Sequence, residues 1–222
     1  MVADSFKFLL PHLDSMIMDD QRYRQTNDNN ELATKWWQKQ NPLDSINTIK
    51  LKDLLIKYGW LDIQQIGLRS NAMFYVIQHC KPVSEKDFFM PYLYNAYRMG
   101  KFPSIGLFAF IDRYLWDKNE PQLFGTQLVS VGNKVTTGLK DIYPIYKPTS
   151  INERWKRYGT FTDYNNFVKQ SFKTVWDSVA YQQYIPELAR LAKVKLEQHI
   201  YIDIMISKLD SCKALMGKEK GK

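Results

Sequence analysis

Cysteine is nearly absent, with only Cys80 and Cys212 in 222 residues. That pair allows one bridge but no disulfide framework and no cysteine-built zinc site, so it names no redox compartment. Histidine is as scarce. The three are far apart and lack the carboxylate spacing of a metal-binding helix, so no metal centre is expected. The glycines form no phosphate-cradling loop and no serine sits in a nucleophile elbow, which leaves no cofactor to propose. No apolar run reaches the roughly 18 to 20 residues of a membrane span. "SFKFLLPHL" is short and broken by Pro11, which argues against a signal sequence, and the compartment, cytoplasmic or exported after loss of a leader, stays open.

What is present is apolar and aromatic surface, 45% and 14% of the chain, enough for a folded core. The length suits one substantial core or a core with a helical extension. A net charge of +8 favours anionic partners. The lysines are dispersed, however, and the aromatics sit in apolar runs, which weakens a nucleic-acid reading.

Apolar positions recur at three- and four-residue spacing, so the fold class is mainly α. Helices are expected over Leu13 to Arg24, over "NELATKWWQKQ" after Asn29, and from Asp44 as N-cap to a stop at Gly59. "WLDIQQIG" reads as a loop and "SNAMFYVIQHC" as a helix. Ser84 and Asp87 suggest a capping box for a helix that Pro91 kinks or delays. After Pro103 comes a helix to about Asp117 that is apolar on nearly every side. Residues 123–146 carry the only strand-like alternation, with "SVGNK" and "TTG" as turn signals, and predict a small β-hairpin or extended flap. Helices resume at "SINERWKRY" and "DYNNFVKQSFKTVW". One long helix is expected from Pro186 through "SCKALM".

Three places could carry chemistry. His79, with Gln78 beside it, ends a buried helix; a lone histidine there is more often bonded to loop carbonyls than catalytic. Asp112 and Arg113 are the only charges between Ser104 and Trp116, and adjacent helical residues point about 100° apart, so each needs its own partner. His79 is a candidate for Asp112. A ligand anion is one for Arg113, against a structural alternative in which Arg113 binds Asp44 or Asp20. Third, "PQLFGTQ" puts Gln122, Thr126 and Gln127 around Gly125, polar uncharged groups that suit a fold brace or a pocket wall.

In order and spacing, "MDDQRYR", "DSIN", "YGW" with "IG", "QHC", "IDRY", "PQLFGTQ", "PIY" and "INERW" resemble the bacterial domain of unknown function 6624, over about residues 16–160. The matched positions are Asp20, Gln21, Arg24, Asp44, Asn47, Gly59, Trp60, Gly67, Gln78, His79, Asp112, Arg113, Gln122, Gly125, Thr126 and Gln127. Leu61, Cys80 and Phe124 stand where the family usually has proline, alanine and tyrosine, and Asn152-Glu153-Arg154-Trp155 replaces an Asp-x-Arg-Arg pattern. The resemblance implies a fold family without an activity. It sets a core domain at 1–162 and a C-terminal helical extension at 163–222.

Two readings stand against each other. In one, His79 and Asp112 are catalytic and Gln78, Arg113, Gln122, Thr126 and Gln127 bind a small anionic or amide-bearing ligand, with hydrolysis as the chemistry. In the other, the same groups form a buried structural network in an interaction domain. Nucleic-acid binding by the basic surface is a weaker third.

Overall fold

Helix α1 spans Leu10–Gln21 and buries Leu13, Met16 and Asp20 along one stripe. It runs antiparallel to α2, Asn30–Tyr58, whose Asn47 donates to the carbonyl of Met16 and whose Gln40 donates to that of Asp19. These come from a computed structural model, which describes residues 4–24, 30–129, 138–159 and 163–220. The described residues are mainly α-helical, and the chain divides into two compact units, Met1–Phe102 and Pro103–Lys222.

In the first unit, α2 is one helix where two were expected. It passes through Pro42, which is exposed, and Asp44 lies within it as a buried acceptor rather than an N-cap. The buried stripe of α2 changes character along its length. Gln40, Asp44, Asn47 and Thr48 give way to Leu51, Leu54 and Leu55, so one end of the α1–α2 seam is polar and the other apolar. Gly59 stops the helix as expected, in a left-handed conformation (φ 68°).

The expected loop at 60–67 contains a one-turn helix, α3, Ile63–Ile66, closed by a capping box between Asp62 and Gln65. Helix α4, Ser70–His79, buries Ala72, Met73, Val76 and Ile77 on one face and packs against both α1 and α2. Arg69, just ahead of it, makes a two-pronged ion pair with Asp14 of α1, at 2.7 and 2.9 Å. Helix α5, Val83–Arg98, starts on Pro82 without a side-chain cap, so the expected Ser84–Asp87 box does not form; Pro91 is carried inside the helix.

In the second unit, α6, Ser104–Asp117, buries most of its apolar side chains and Asp112 with them, while Ile105 is exposed. The expected hairpin at 123–146 is not borne out. Among the described residues there are only isolated bridges, Gln122 with Ile145 and Leu128 with Ile142; the turn signals at 130–137 lie outside the described residues. A ladder needs free backbone donors, and those of Leu123, Phe124, Thr126 and Gln127 are taken by side chains instead.

Helices α7, Ile151–Tyr158, and α8, Tyr164–Ser171, lie about where expected. They are followed by α9, Ser178–Gln182, and α10, Ile185–Ala192. The single long C-terminal helix does not form. Lys193 takes a left-handed conformation (φ 56°), and α11 begins only at Ile200 and runs to Lys220.

Residues on both sides of position 162 build this unit's core. Tyr164 and Tyr181 are fully buried. The Tyr181 hydroxyl accepts from the Ile145 amide at 3.1 Å and donates to the Tyr143 carbonyl at 2.9 Å. Glu120, also fully buried, accepts the Tyr201 and Ile202 amides at 3.0–3.1 Å, which places a carboxylate on the positive end of α11. The boundary drawn from sequence after residue 162 therefore falls inside one packed unit.

Candidate functional site

The polar end of the α1–α2 seam gathers Asp20, Arg24, Gln40, Asp44 and His79. Arg24 stands just beyond α1, and its guanidinium donates in two prongs to the Asp44 carboxylate, at 3.0 and 2.6 Å, and to the carbonyl of Asp20. Gln40, one turn before Asp44 on α2, donates to it at 2.7 Å and accepts the Tyr23 amide at 3.1 Å. Asp44 and Arg24 thereby neutralise each other in a nearly closed site.

Asp20 is left to face His79, the last residue of α4. The imidazole Nδ1 lies 2.9 and 3.0 Å from the two carboxylate oxygens of Asp20, which also accepts from Gln21 at 2.5 Å. A carboxylate accepts only, so Nδ1 carries the proton and donates. The Asp20 side chain is 2% exposed and the His79 side chain 28%. The arrangement is a buried carboxylate that fixes the tautomer of a partly exposed imidazole; in the neutral ring this makes Nε2 the acceptor, and Nε2 has no hydrogen-bond partner among the described residues. Chemically, such a ring can take a proton at Nε2 while its carboxylate stabilises the imidazolium.

Asp112, in the second unit, is engaged differently. It is fully buried, one oxygen accepting the Leu123 and Phe124 amides at 2.8 and 2.9 Å, the other the Thr126 amide and hydroxyl, both at 2.8 Å. Burial pushes its carboxyl up to about 6, against the opposing pull of these donors. Gln122 completes the brace. Its amide donates to the carbonyls of Tyr143 (2.6 Å) and Gln127 (3.2 Å), and its oxygen accepts the Gln127 amide (2.9 Å).

Gly125 turns this loop with φ 71°, and a Cβ there would collide with the Tyr164 ring, whose hydroxyl donates to the Gly125 carbonyl at 3.2 Å. Arg154 closes the outside by donating to the carbonyls of Leu123, Tyr146 and Lys147; burial lowers its guanidinium to about 10.

The expected pairing of His79 with Asp112 is thus not the one the structure makes: His79 takes Asp20, and the Asp112 oxygens are filled by the 123–126 backbone and Thr126. The acids offered as structural partners for Arg113 are likewise occupied, Asp44 by Arg24 and Asp20 by His79. Arg113 has no ion pair among the described residues. Its guanidinium lies over the Trp116 ring at 4.7 Å, its Nε has no partner, and burial lowers its pKa while the charge of Asp117 raises it.

Gln127 donates weakly to Thr126 Oγ1 (3.2 Å) and the Ala109 carbonyl (3.4 Å), and Gln78 is half-buried beside His79. The sequence reading missed the role of Asp20 and the Arg24–Asp44–Gln40 cluster. The available signal was the i, i+4 spacing of Asp20 with Arg24 and of Gln40 with Asp44, which puts each pair on one helix face.

The motif residues thus form one cluster in each unit, Asp20, Arg24, Asp44, Asn47 and His79 in the first and Asp112, Gln122, Gly125, Thr126 and Gln127 in the second. No group of histidine, cysteine and carboxylate side chains that could hold a metal ion occurs among the described residues. Comparison with curated proteins and with solved structures finds no match. The model of the family of unknown function DUF6624 matches residues 10–172, most of the length, and the chain belongs to that family.

Proposed function

We propose that the first unit carries an acid–base site in which Asp20 orients His79 and Nε2 of His79 exchanges a proton with a small anionic or amide-bearing substrate, the reaction being a hydrolysis. The observation that carries this reading is the contrast in exposure across one hydrogen bond: a buried carboxylate behind, a reachable imidazole in front. As general base, His79 takes a proton from water through Nε2. The Asp20 carboxylate, held by Gln21 and lying 3.5 Å from Arg24, stabilises the cation that results. Arg24 is occupied by Asp44, so it sets the position of Asp20 rather than binding substrate.

A second reading concerns the second unit. Asp112, Gln122 and Thr126 have their hydrogen-bonding capacity filled by the loop, which supports a bracing role for them and the non-catalytic alternative there. Arg113, with no ion pair among the described residues and only the charge of Asp117 acting on it, is the group of that unit best suited to an anion.

The test is turnover of a panel of chromogenic esters, anilides and phosphomonoesters by the wild type, His79→Gln and Asp20→Asn, with folding checked by circular dichroism. The reading expects hydrolysis of at least one class and a loss of about 10²–10⁴-fold in folded His79→Gln. A wild type inert to every class, or a His79→Gln variant of equal rate, overturns it.

A further inference from the structure

The apolar end of the α1–α2 seam opens into a cavity of about 310 Å³, at the small end of the ligand-pocket range. Its floor is Leu9, Met16 and Leu54, all buried, with the Tyr58 ring as one wall. Its rim carries His12, Lys50, Asp53 and Lys57, all exposed. Lys50, Leu54 and Lys57 fall at i, i+4 and i+7 on α2, so the two lysines flank the apolar floor about 10 Å apart along the helix axis.

Their charge is unspent. Among the described residues neither lysine has a carboxylate partner, although Asp53 lies one turn from each, and Lys57 rests only over the Tyr58 ring at 5.1 Å. Two ammonium groups and an imidazole thus face a single carboxylate around a greasy slot. That combination complements a molecule with an apolar body and one negative head.

We propose that this cavity binds a free medium-chain alkyl carboxylate, its chain on Leu9, Met16 and Leu54 and its head at Lys50 or Lys57. The size of the cavity excludes a large cofactor, and the absence of arginine from its rim removes the planar fork that phosphate groups favour. The site uses none of the residues of the Asp20–His79 pair, so either proposal can fail alone.

Isothermal titration of the whole chain with octanoate tests it, with acetate and octanol as arms that keep only the head or only the chain. Saturable one-to-one binding of octanoate, absent for acetate and much weaker for octanol, is expected. The exposed pair Lys50→Gln/Lys57→Gln, which leaves the floor intact, should bind about tenfold more weakly. Leu54→Phe, which fills the floor, should bind less while keeping a cooperative melt. No saturable binding of octanoate overturns the proposal. So does equal binding of octanol, affinity unchanged in the lysine variant, or attachment to phosphatidylglycerol vesicles without binding of free octanoate.

Discussion

Nδ1 of His79 sits 2.9 Å from a carboxylate oxygen of Asp20, and the two residues belong to different helices, α4 and α1, 59 positions apart in sequence. The packing of α4 on α1 and α2 brings them together, so the pair is a product of the fold and not of local sequence. The helix contacts that set it are apolar, while the cluster behind it is polar and nearly closed. That combination holds an imidazole in one orientation without burying it.

The brace around Asp112 should be sensitive to the loss of one charge. Asparagine keeps one acceptor oxygen but turns an amide donor toward the Thr126 amide, a donor–donor clash, and takes the acceptor away from the Thr126 hydroxyl proton. Asp112→Asn should therefore cost about 1–3 kcal/mol. Chemical denaturation measures this, and an unchanged midpoint would mean that the 123–126 amides do not depend on the carboxylate.

The same carboxyl gives a pH signature. Its native value of about 6 lies above its ordinary 3.8, so between those values the native state holds the proton more tightly than the unfolded chain. Its contribution is fully present below the lower value and is lost as pH rises through the upper one. Subtracting the stability of Asp112→Asn from that of the wild type across this window should leave a difference that falls with rising pH. A flat difference contradicts the assignment.

Gly125 should not tolerate alanine. Its left-handed conformation strains any other side chain, and the added carbon meets the Tyr164 ring. Gly125→Ala should lower the melting temperature by several degrees, roughly 1–3 kcal/mol, and Gly125→Ala/Tyr164→Phe should recover little of it, because two ring carbons stay 2.5 and 2.7 Å from the added carbon. An unchanged melting temperature in Gly125→Ala would mean that the loop does not need the left-handed turn against the Tyr164 ring.

Much of this fold was legible. Helix-period spacing found most helices, and the rule that adjacent helical charges need separate partners drew attention to Asp112 and Arg113, which do have different surroundings. The hairpin failed for a physical reason: period-two alternation at 123–146 is real, but Asp112 and Gln122 outbid a partner strand for the backbone donors. Long-range partnership was the harder part. Asp20, Asp44 and Arg24 were visible as motif residues, yet nothing in linear spacing says that Asp20 rather than Asp112 reaches His79.

The C-terminal residues show the same limit. Read as an extension, they contribute Tyr164, Tyr181 and the α11 amides that satisfy Glu120. Truncation after residue 162 would strand that buried carboxylate, so residues 103–162 of the shortened chain should lose their protected amides in hydrogen exchange. Wild-type protection of those residues in the shortened chain would restore the boundary drawn from sequence.

The most direct test of the central claim is nitrogen-15 NMR of the His79 ring in the wild type and in Asp20→Asn, at a pH where the imidazole is neutral. The account predicts a wild-type ring protonated at Nδ1, with a strongly hydrogen-bonded ring proton, and a mixture of tautomers once the Asp20 carboxylate is gone. A wild-type ring protonated at Nε2, or identical spectra from the two proteins, would contradict it.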